Sequence, residues 1–366
     1  MRLGRATCVA AVLLAIAAAP ADAHLIGTNA PPTNYRTRIL AVSPSIEGLQ
    51  VRMAEIGGTL ELINRTGQQV IVLGARLEPY LRVEADGGVD ENHRSPTWLA
   101  GQRPGSRLPR AASPDLAAPP DWHRLSGAAR VVWHDARAQW TGSDPPQVRR
   151  APQRRQVVIP RWQVPLQVGG HLALITGEVD WVPGSSWWPW LATAAALATM
   201  VGSAGRTRSW RPVMVVAVAA AVVSDLLHTV GSLLASTATV PLSLYASSPS
   251  AAGWVLGGLA VARLLRRPEA DSGPPYLLAA GFFFAFAGGM ADVTTLGRSQ
   301  VSTALPLGLS HATVAASLGL GVGVVIVALL RLPRSDERLA RGSPLGELDG
   351  RGVAGAAGAG RRDRPA

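Results

Sequence analysis

The chain has 366 residues, of which 48% are hydrophobic and 16% charged, and the apolar residues fall in long blocks, the distribution of a membrane protein. Every basic side chain is arginine, so a P-loop lysine, a lysine Schiff base and a lysine general base are excluded in spite of the net charge of +11. The one cysteine, Cys8, falls in the leader, which removes disulfides, zinc–thiolate sites and cysteine nucleophiles from the mature chain.

In chain order, residues 1–23 read as a secretory signal peptide: basic MRLGR, an apolar core from Cys8 to Ala19, and the cleavage signal Ala21-Asp22-Ala23. Cleavage there makes His24 the new N-terminus. Residues 24–184 predict an exported all-β domain, an antiparallel sandwich, from short alternating runs such as RILAV, LQVRM, QVVIP and LALITGEVDWV divided by Gly, Pro, Asn and Asp. TLELINRTGQQVIVLG reads as a hairpin turning at Asn64–Gly67, and the proline-rich stretch from Arg103 to Asp121 as a long surface loop.

Residues 185–332 predict an α-helical membrane bundle of five transmembrane helices. The first opens with the tryptophans of SSWWPWL, suited to a bilayer interface; the others run roughly over Arg211–Leu234, Ser247–Leu265, Pro275–Leu296 and Leu305–Leu330, each near the ~20 residues needed to cross. With the β domain outside, GRTRSWR, ARLLRRPEADSG and LRLPRSDERLAR all fall inside and carry the arginines. This predicts a multi-pass plasma-membrane protein with an extracellular N-terminal domain and, over 333–366, a disordered cytoplasmic tail.

Ionisable residues inside spans are costly at depth and are candidates for function. The topology puts Asp225, His228, Asp292 and His311 in the outer leaflet, and the spacing Asp225-x-x-His228 puts two of them on one helix face. Two carboxylates and two imidazoles can coordinate a divalent or cuprous ion or pass protons to one another; alternatively they hydrogen-bond neighbouring helices and stabilise the bundle. Gly253 with Gly257, and Gly319 with Gly323, form small-residue faces for close helix approach.

In the exported domain, His24 would offer a terminal amine and an imidazole to Cu(II), with His134, Asp135 and His123 as further ligands. The tryptophans Trp98, Trp122, Trp133, Trp140, Trp162 and Trp181 suit a core, or a sugar-binding face. RRAPQRRQVVIPR is a solvated loop or meets anionic wall polymer or lipid headgroups, and its exported side excludes nucleic acid as a partner. Neither G-x-S-x-G nor H-E-x-x-H occurs, and Asp121, His134 and Asp135 lack a serine partner, so no enzymatic activity is expected.

ENHRSPTWL, DWHRLSGAARVVWHDARAQW and WQVPLQV with ITGEVDWVPG, followed by the Trp-rich first span, resemble an uncharacterised family of actinobacterial membrane proteins with a secreted β domain, from roughly Ile39 to Leu330. In that family the WHD segment usually continues with a second histidine, where this chain has Ala136. The plan is also similar, as architecture, to fused CopC and CopD copper-resistance proteins, with His24 and His228 as the residues that correspond. The expected activity is the handling of a metal ion, copper, captured by the β domain and accepted by Asp225, His228, Asp292 and His311. The rival expectation is an envelope assembly or sensory protein whose β domain binds a protein or wall polymer while the helices anchor it in the lipid bilayer. A third is a transporter of protons or a small solute.

Overall fold

The computed structural model describes residues 30–101, 118–266 and 273–332. The expected signal peptide, His24, the 333–366 tail and most of the proline-rich loop lie outside the described residues.

The N-terminal region is built of ten strands: β1 (Tyr35–Ser43), β2 (Leu49–Glu55), β3 (Thr59–Asn64), β4 (Val70–Leu73), β5 (Pro79–Val83), β6 (Val89–Asn92), β7 (Trp122–Ser126), β8 (Arg130–His134), β9 (Gln156–Val168) and β10 (His171–Trp181). A one-turn helix α1 (Pro96–Gly101) follows β6, and another, α2 (Pro146–Arg150), precedes β9. All the pairings are antiparallel. Seven strands form one sheet in the order β1-β10-β9-β4-β5-β6-β7, and three form a second in the order β2-β3-β8.

Alternation along each strand explains how the two sheets share one apolar core. Leu60 and Leu62 on β3, with Val131 and Trp133 on β8, meet Val70 and Val72 on β4 and Trp162, Val164 and Leu166 on β9. Burying such side chains stabilises by roughly 1.5–3 kcal/mol each. The alternate residue on β3, Glu61, turns to the other face, where Arg52 of β2 and Arg130 of β8 both donate to its carboxylate. Arg52 first, and Arg130 with it, hold that carboxyl below the usual range against the opposing effect of burial.

The hairpin expected around Asn64–Gly67 is corrected: β3 and β4 belong to different sheets. The Asn64 amide donates to the Gln68 carbonyl at 2.8 Å and its oxygen accepts from the Thr66 N–H at 3.1 Å. Together with Gly67 at φ 70°, these bonds shape an arch that crosses from one sheet to the other. The hairpin partner of β3 is β2, joined through Gly57 and Gly58 at φ 73° and 84°. Alternation fixes which face of a strand is apolar, and both arrangements satisfy it.

The C-terminal region is helical: α3 (Trp188–Ala204), α4 (Trp210–Ala235), a short α5 (Val240–Ala246), α6 (Ser248–Arg266), α7 (Gly273–Ala285) and α8 (Leu307–Arg331). Three helical stretches are long and apolar enough to cross a membrane: Trp210–Ala235, Gly273–Gly297 and Leu307–Arg331. The loop expected over ASTATVPLSLYASS instead contains α5, whose Val240, Leu242, Leu244 and Tyr245 are exposed.

α8 is the central helix, packed against α3, α4 and α7. Glycines set those distances. A Cβ on Gly319 would lie 2.4 Å from the Ala194 carbonyl oxygen on α3, and one on Gly321 would lie 2.4 Å from the Ala285 nitrogen on α7. α7 does not continue as a regular helix; it passes into a π-helical turn at Phe286–Met290 and a 3₁₀ turn at Val293–Gly297. π-helical turns inside a helix frequently mark functional positions.

The two regions meet through specific bonds. Thr33 and Gln300 pair as a two-bond bridge at 3.0 and 2.9 Å. The Ser299 N–H donates to Asn34 Oδ1 at 2.9 Å, and the Ser299 hydroxyl donates to the Val182 carbonyl at 2.7 Å. On the other side, the Thr237 N–H donates to the Glu55 carboxylate.

Candidate functional site

The polar residues inside the bundle gather where α4, α6, α8 and the π-helical turn meet. His228 on α4 and Asp292, just after the turn, are joined by an Nε2···Oδ2 contact of 3.1 Å. The other ring nitrogen, Nδ1, lies 3.4 Å from the Thr313 hydroxyl oxygen on α8. That hydroxyl donates to the Ser310 carbonyl over a shorter 2.7 Å.

With its hydrogen directed at Ser310 over the shorter contact, the Thr313 oxygen is free to accept from His228 in the tautomer that carries a proton on Nδ1. Nε2 and the Asp292 carboxylate are then held together by one further proton, written either as imidazolium–carboxylate or as imidazole–carboxylic acid.

Asp225 lies one helical turn before His228 and is 1% exposed. Its Oδ2 accepts from the Trp254 indole N–H on α6 at 2.7 Å. The Ser250 hydroxyl also interacts with the carboxyl, yet Oδ1 has no hydrogen-bond partner within bonding geometry among the described residues. That oxygen presses against Gly288 in the π-helical turn, where a Cβ would stand 2.0 Å away. Below it, the Ser224 hydroxyl donates to the Thr313 carbonyl at 3.0 Å, and the Ser317 hydroxyl approaches Ser224 at 3.4 Å. Asp225 and His228 share a face, as their spacing predicts, and interact electrostatically with each other and with Asp292.

His311 does not join this group by any direct bond among the described residues. Its ring stands edge-on to Trp190 of α3 at 5.6 Å, and its Nε2 has no hydrogen-bond partner. The four residues expected as one cluster are thus a linked set of three with His311 apart.

The candidates in the β domain separate as well. His134 and Asp135 are neighbours in sequence but not in environment. Asp135 is buried and bonded to Arg137, with Nη2···Oδ2 of 2.8 Å, and to the Trp133 indole at 3.1 Å. Burial would raise the Asp135 carboxyl, but Arg137 outweighs it and holds it below its usual range. His134 is on the exposed side, and loss of hydration depresses its imidazole in spite of the adjacent carboxylate. His123 lies on β7 in the other sheet, stacked on His93 at 3.8 Å with Asp121 at 3.3 Å. Among the described residues, no group of three or more His, Cys, Asp and Glu is placed to hold a metal ion.

Trp254, Gly288 and Thr313 are members of the centre that the sequence reading did not single out. Ser310, Thr313 and Ser317 recur at helical spacing and form a polar stripe on an apolar helix, which is the signal that points to this face of α8.

No protein-family model, no curated protein and no solved structure matches this chain.

Proposed function

We propose that the chain is a non-enzymatic, proton-responsive protein of the bacterial plasma membrane, with five spans, the β domain outside and the C-terminus inside. In this reading Asp225, His228 and Asp292 bind and exchange protons within the bundle. The observation that carries it is the His228–Asp292 contact with Thr313 on the far ring nitrogen. A shared proton there is gained or lost between a helix and an irregular turn, so its loss changes how the two are held together. The arginine-bearing connections supply the sidedness.

The test is reconstitution into liposomes with a pH dye inside and an imposed pH step. The wild-type protein is expected to pass protons or to show a titration in Trp254 fluorescence, and His228→Gln to abolish both. No flux and no titration in the wild type overturns the reading.

A second reading is a metal ion at these residues, which their imidazole–carboxylate chemistry allows although, among the described residues, no group of three or more His, Cys, Asp and Glu is placed to hold one. In this reading copper is captured by the β domain through His24 and then accepted by the residues of the bundle. Cu(II) titration of the untagged protein, with and without blocking of the terminal amine, decides this: tight binding lost on blocking supports copper handling, and no binding removes it.

A further inference from the structure

An arginine-rich face lies beside the seam that joins the β domain to the helices. Arg36 and Arg38 on β1 stand opposite Asp180 and Glu178 on β10, and they alternate with Tyr35 and Val179, which pack on the apolar core. Asp180 is 1% exposed, and its Oδ2 gathers three guanidiniums: Arg155 at 2.6 Å, Arg36 at 3.0 Å and Arg38 at 3.2 Å. Arg38 pairs with Glu178 as well. The cations lie above the acid, their side chains 33, 43 and 52% exposed for Arg36, Arg38 and Arg155. Next to Asp180, the Trp181 indole N–H donates to the Pro152 carbonyl at 2.8 Å and holds the segment over 149–156 against this end of β10.

We propose that this face binds the phosphodiester headgroup of an anionic phospholipid, in the leaflet on the β-domain side. It rests on the reading of Gly273–Gly297 as a membrane span and not on proton exchange at His228.

Charge selects an anion. β1 together with residues 144–182 carries seven arginines and three acids, and one of those acids, Asp144, already accepts from the Tyr35 hydroxyl at 2.7 Å. Arg149, Arg150, Arg154 and Arg161 are all exposed. Burial would raise the Asp180 carboxyl, but Arg155 and Arg36 outweigh it and hold it below its usual range, so the acid stays charged and keeps the guanidiniums together. Three like charges at one oxygen repel one another, and Asp180 with Glu178 neutralises only two of them. A guanidinium offers five N–H donors in a planar fork, so the exposed side chains keep donors for phosphate oxygens after serving these acids.

Depth selects a lipid as the source of that anion. Ser299 lies two residues beyond the span Gly273–Gly297 and is bonded to Asn34 and to the Val182 carbonyl. Arg36 follows Asn34 by two residues and Asp180 precedes Val182 by two, no more than roughly 7 Å of extended chain. The polar layer of a bilayer is roughly 5–8 Å deep on each side, which puts the guanidiniums at headgroup level. Trp187 and Trp188, exposed and stacked at 4.2 Å, mark the interface at the same end of the span, where a Cβ on Gly297 would lie 3.9 Å from the Trp187 Cβ. A free polyanion would match the charge but not the aromatic pair beside it.

The experiment is hydrogen–deuterium exchange of the full chain in phosphatidylcholine nanodiscs, with and without phosphatidylglycerol of the same acyl chains. A third arm adds a soluble glycerol-phosphate polymer to the phosphatidylcholine discs. Exchange over 149–156 is expected to slow about threefold or more with phosphatidylglycerol, and not with the polymer. Raised salt should erase the difference, as should the double variant Arg36→Gln, Arg155→Gln. Should the double variant fail to fold, Arg155→Gln alone serves, since it leaves Asp180 paired with Arg36 and Arg38. His228→Gln is expected to keep the protection, so failure of the proton reading leaves this result standing. No protection by phosphatidylglycerol, protection by the polymer in its place, or protection that persists in the folded variants overturns the proposal. A chain that does not enter the discs overturns the membrane reading and this proposal together.

Discussion

His228 and Asp292 stand 64 positions apart in the chain and meet at 3.1 Å across the gap between α4 and the turn that ends the α7 segment. Their contact ties a regular helix to the junction of the π-helical and 3₁₀ turns that follow α7, and the Thr313 hydroxyl oxygen backs the ring from α8. Three elements therefore converge on a single imidazole.

A double-mutant cycle measures that tie. His228→Gln, Asp292→Asn and the double variant, unfolded in detergent, are expected to show a coupling of about 0.5–2 kcal/mol, the range of interhelical hydrogen bonds in membranes. Additive effects would mean that the contact contributes nothing specific.

Gly288 makes room for Asp225, because a Cβ there would stand 2.0 Å from Oδ1. Gly288→Ala is expected to destabilise the bundle by about 1–3 kcal/mol. Combining it with Asp225→Ala, which clears the space, should restore part of the loss. The readout is the thermal midpoint of the purified protein; a Gly288→Ala protein as stable as the wild type refutes the steric account.

The acid stability of the β domain depends on Glu61. Its carboxyl is held below the usual value of 4.5 by Arg52 and Arg130, so the unfolded chain takes up the proton first as pH falls. The contribution is complete above the unfolded value and disappears as pH drops through the lowered folded one. Thermal unfolding between about pH 6 and about pH 3 should therefore fall less steeply in Glu61→Gln than in the wild type. Equal slopes would show that other carboxylates govern this limb.

Gly48 tests the β-domain corner at the other end of β3. It has φ 81°, and a Cβ would lie 2.4 Å from the Arg65 carbonyl oxygen, so the position combines left-handed backbone with no room. Gly48→Ala is expected to cost more than about 1 kcal/mol of β-domain stability in denaturant unfolding. A neutral substitution would mean that the two chain segments part easily.

The sequence makes some of these features plain and hides others for identifiable reasons. Apolar blocks and interfacial tryptophans place the helices of the C-terminal region, because lipid imposes length and composition on any span. Asp225 and His228 share a face because three residues make nearly one helical turn. Nothing local announces that His228 finds Asp292, or that His311 turns to Trp190 instead, since those contacts depend on the rotation of one helix about another. The assignment of β3 and β4 to a hairpin fails for a related reason: strands facing each other across a core and strands paired within a sheet show the same alternation. His134 and Asp135 show the period-2 rule from the other direction, since adjacent residues on an extended chain point to opposite sides.

The bridge between Thr33 and Gln300 has a mechanical consequence. Asn34 and Val182 hold Ser299, and the 3₁₀ turn Val293–Gly297 separates this seam from Asp292. Tension applied to the N-terminal region therefore has a short, hydrogen-bonded path to Asp292, whose carboxylate meets the His228 ring.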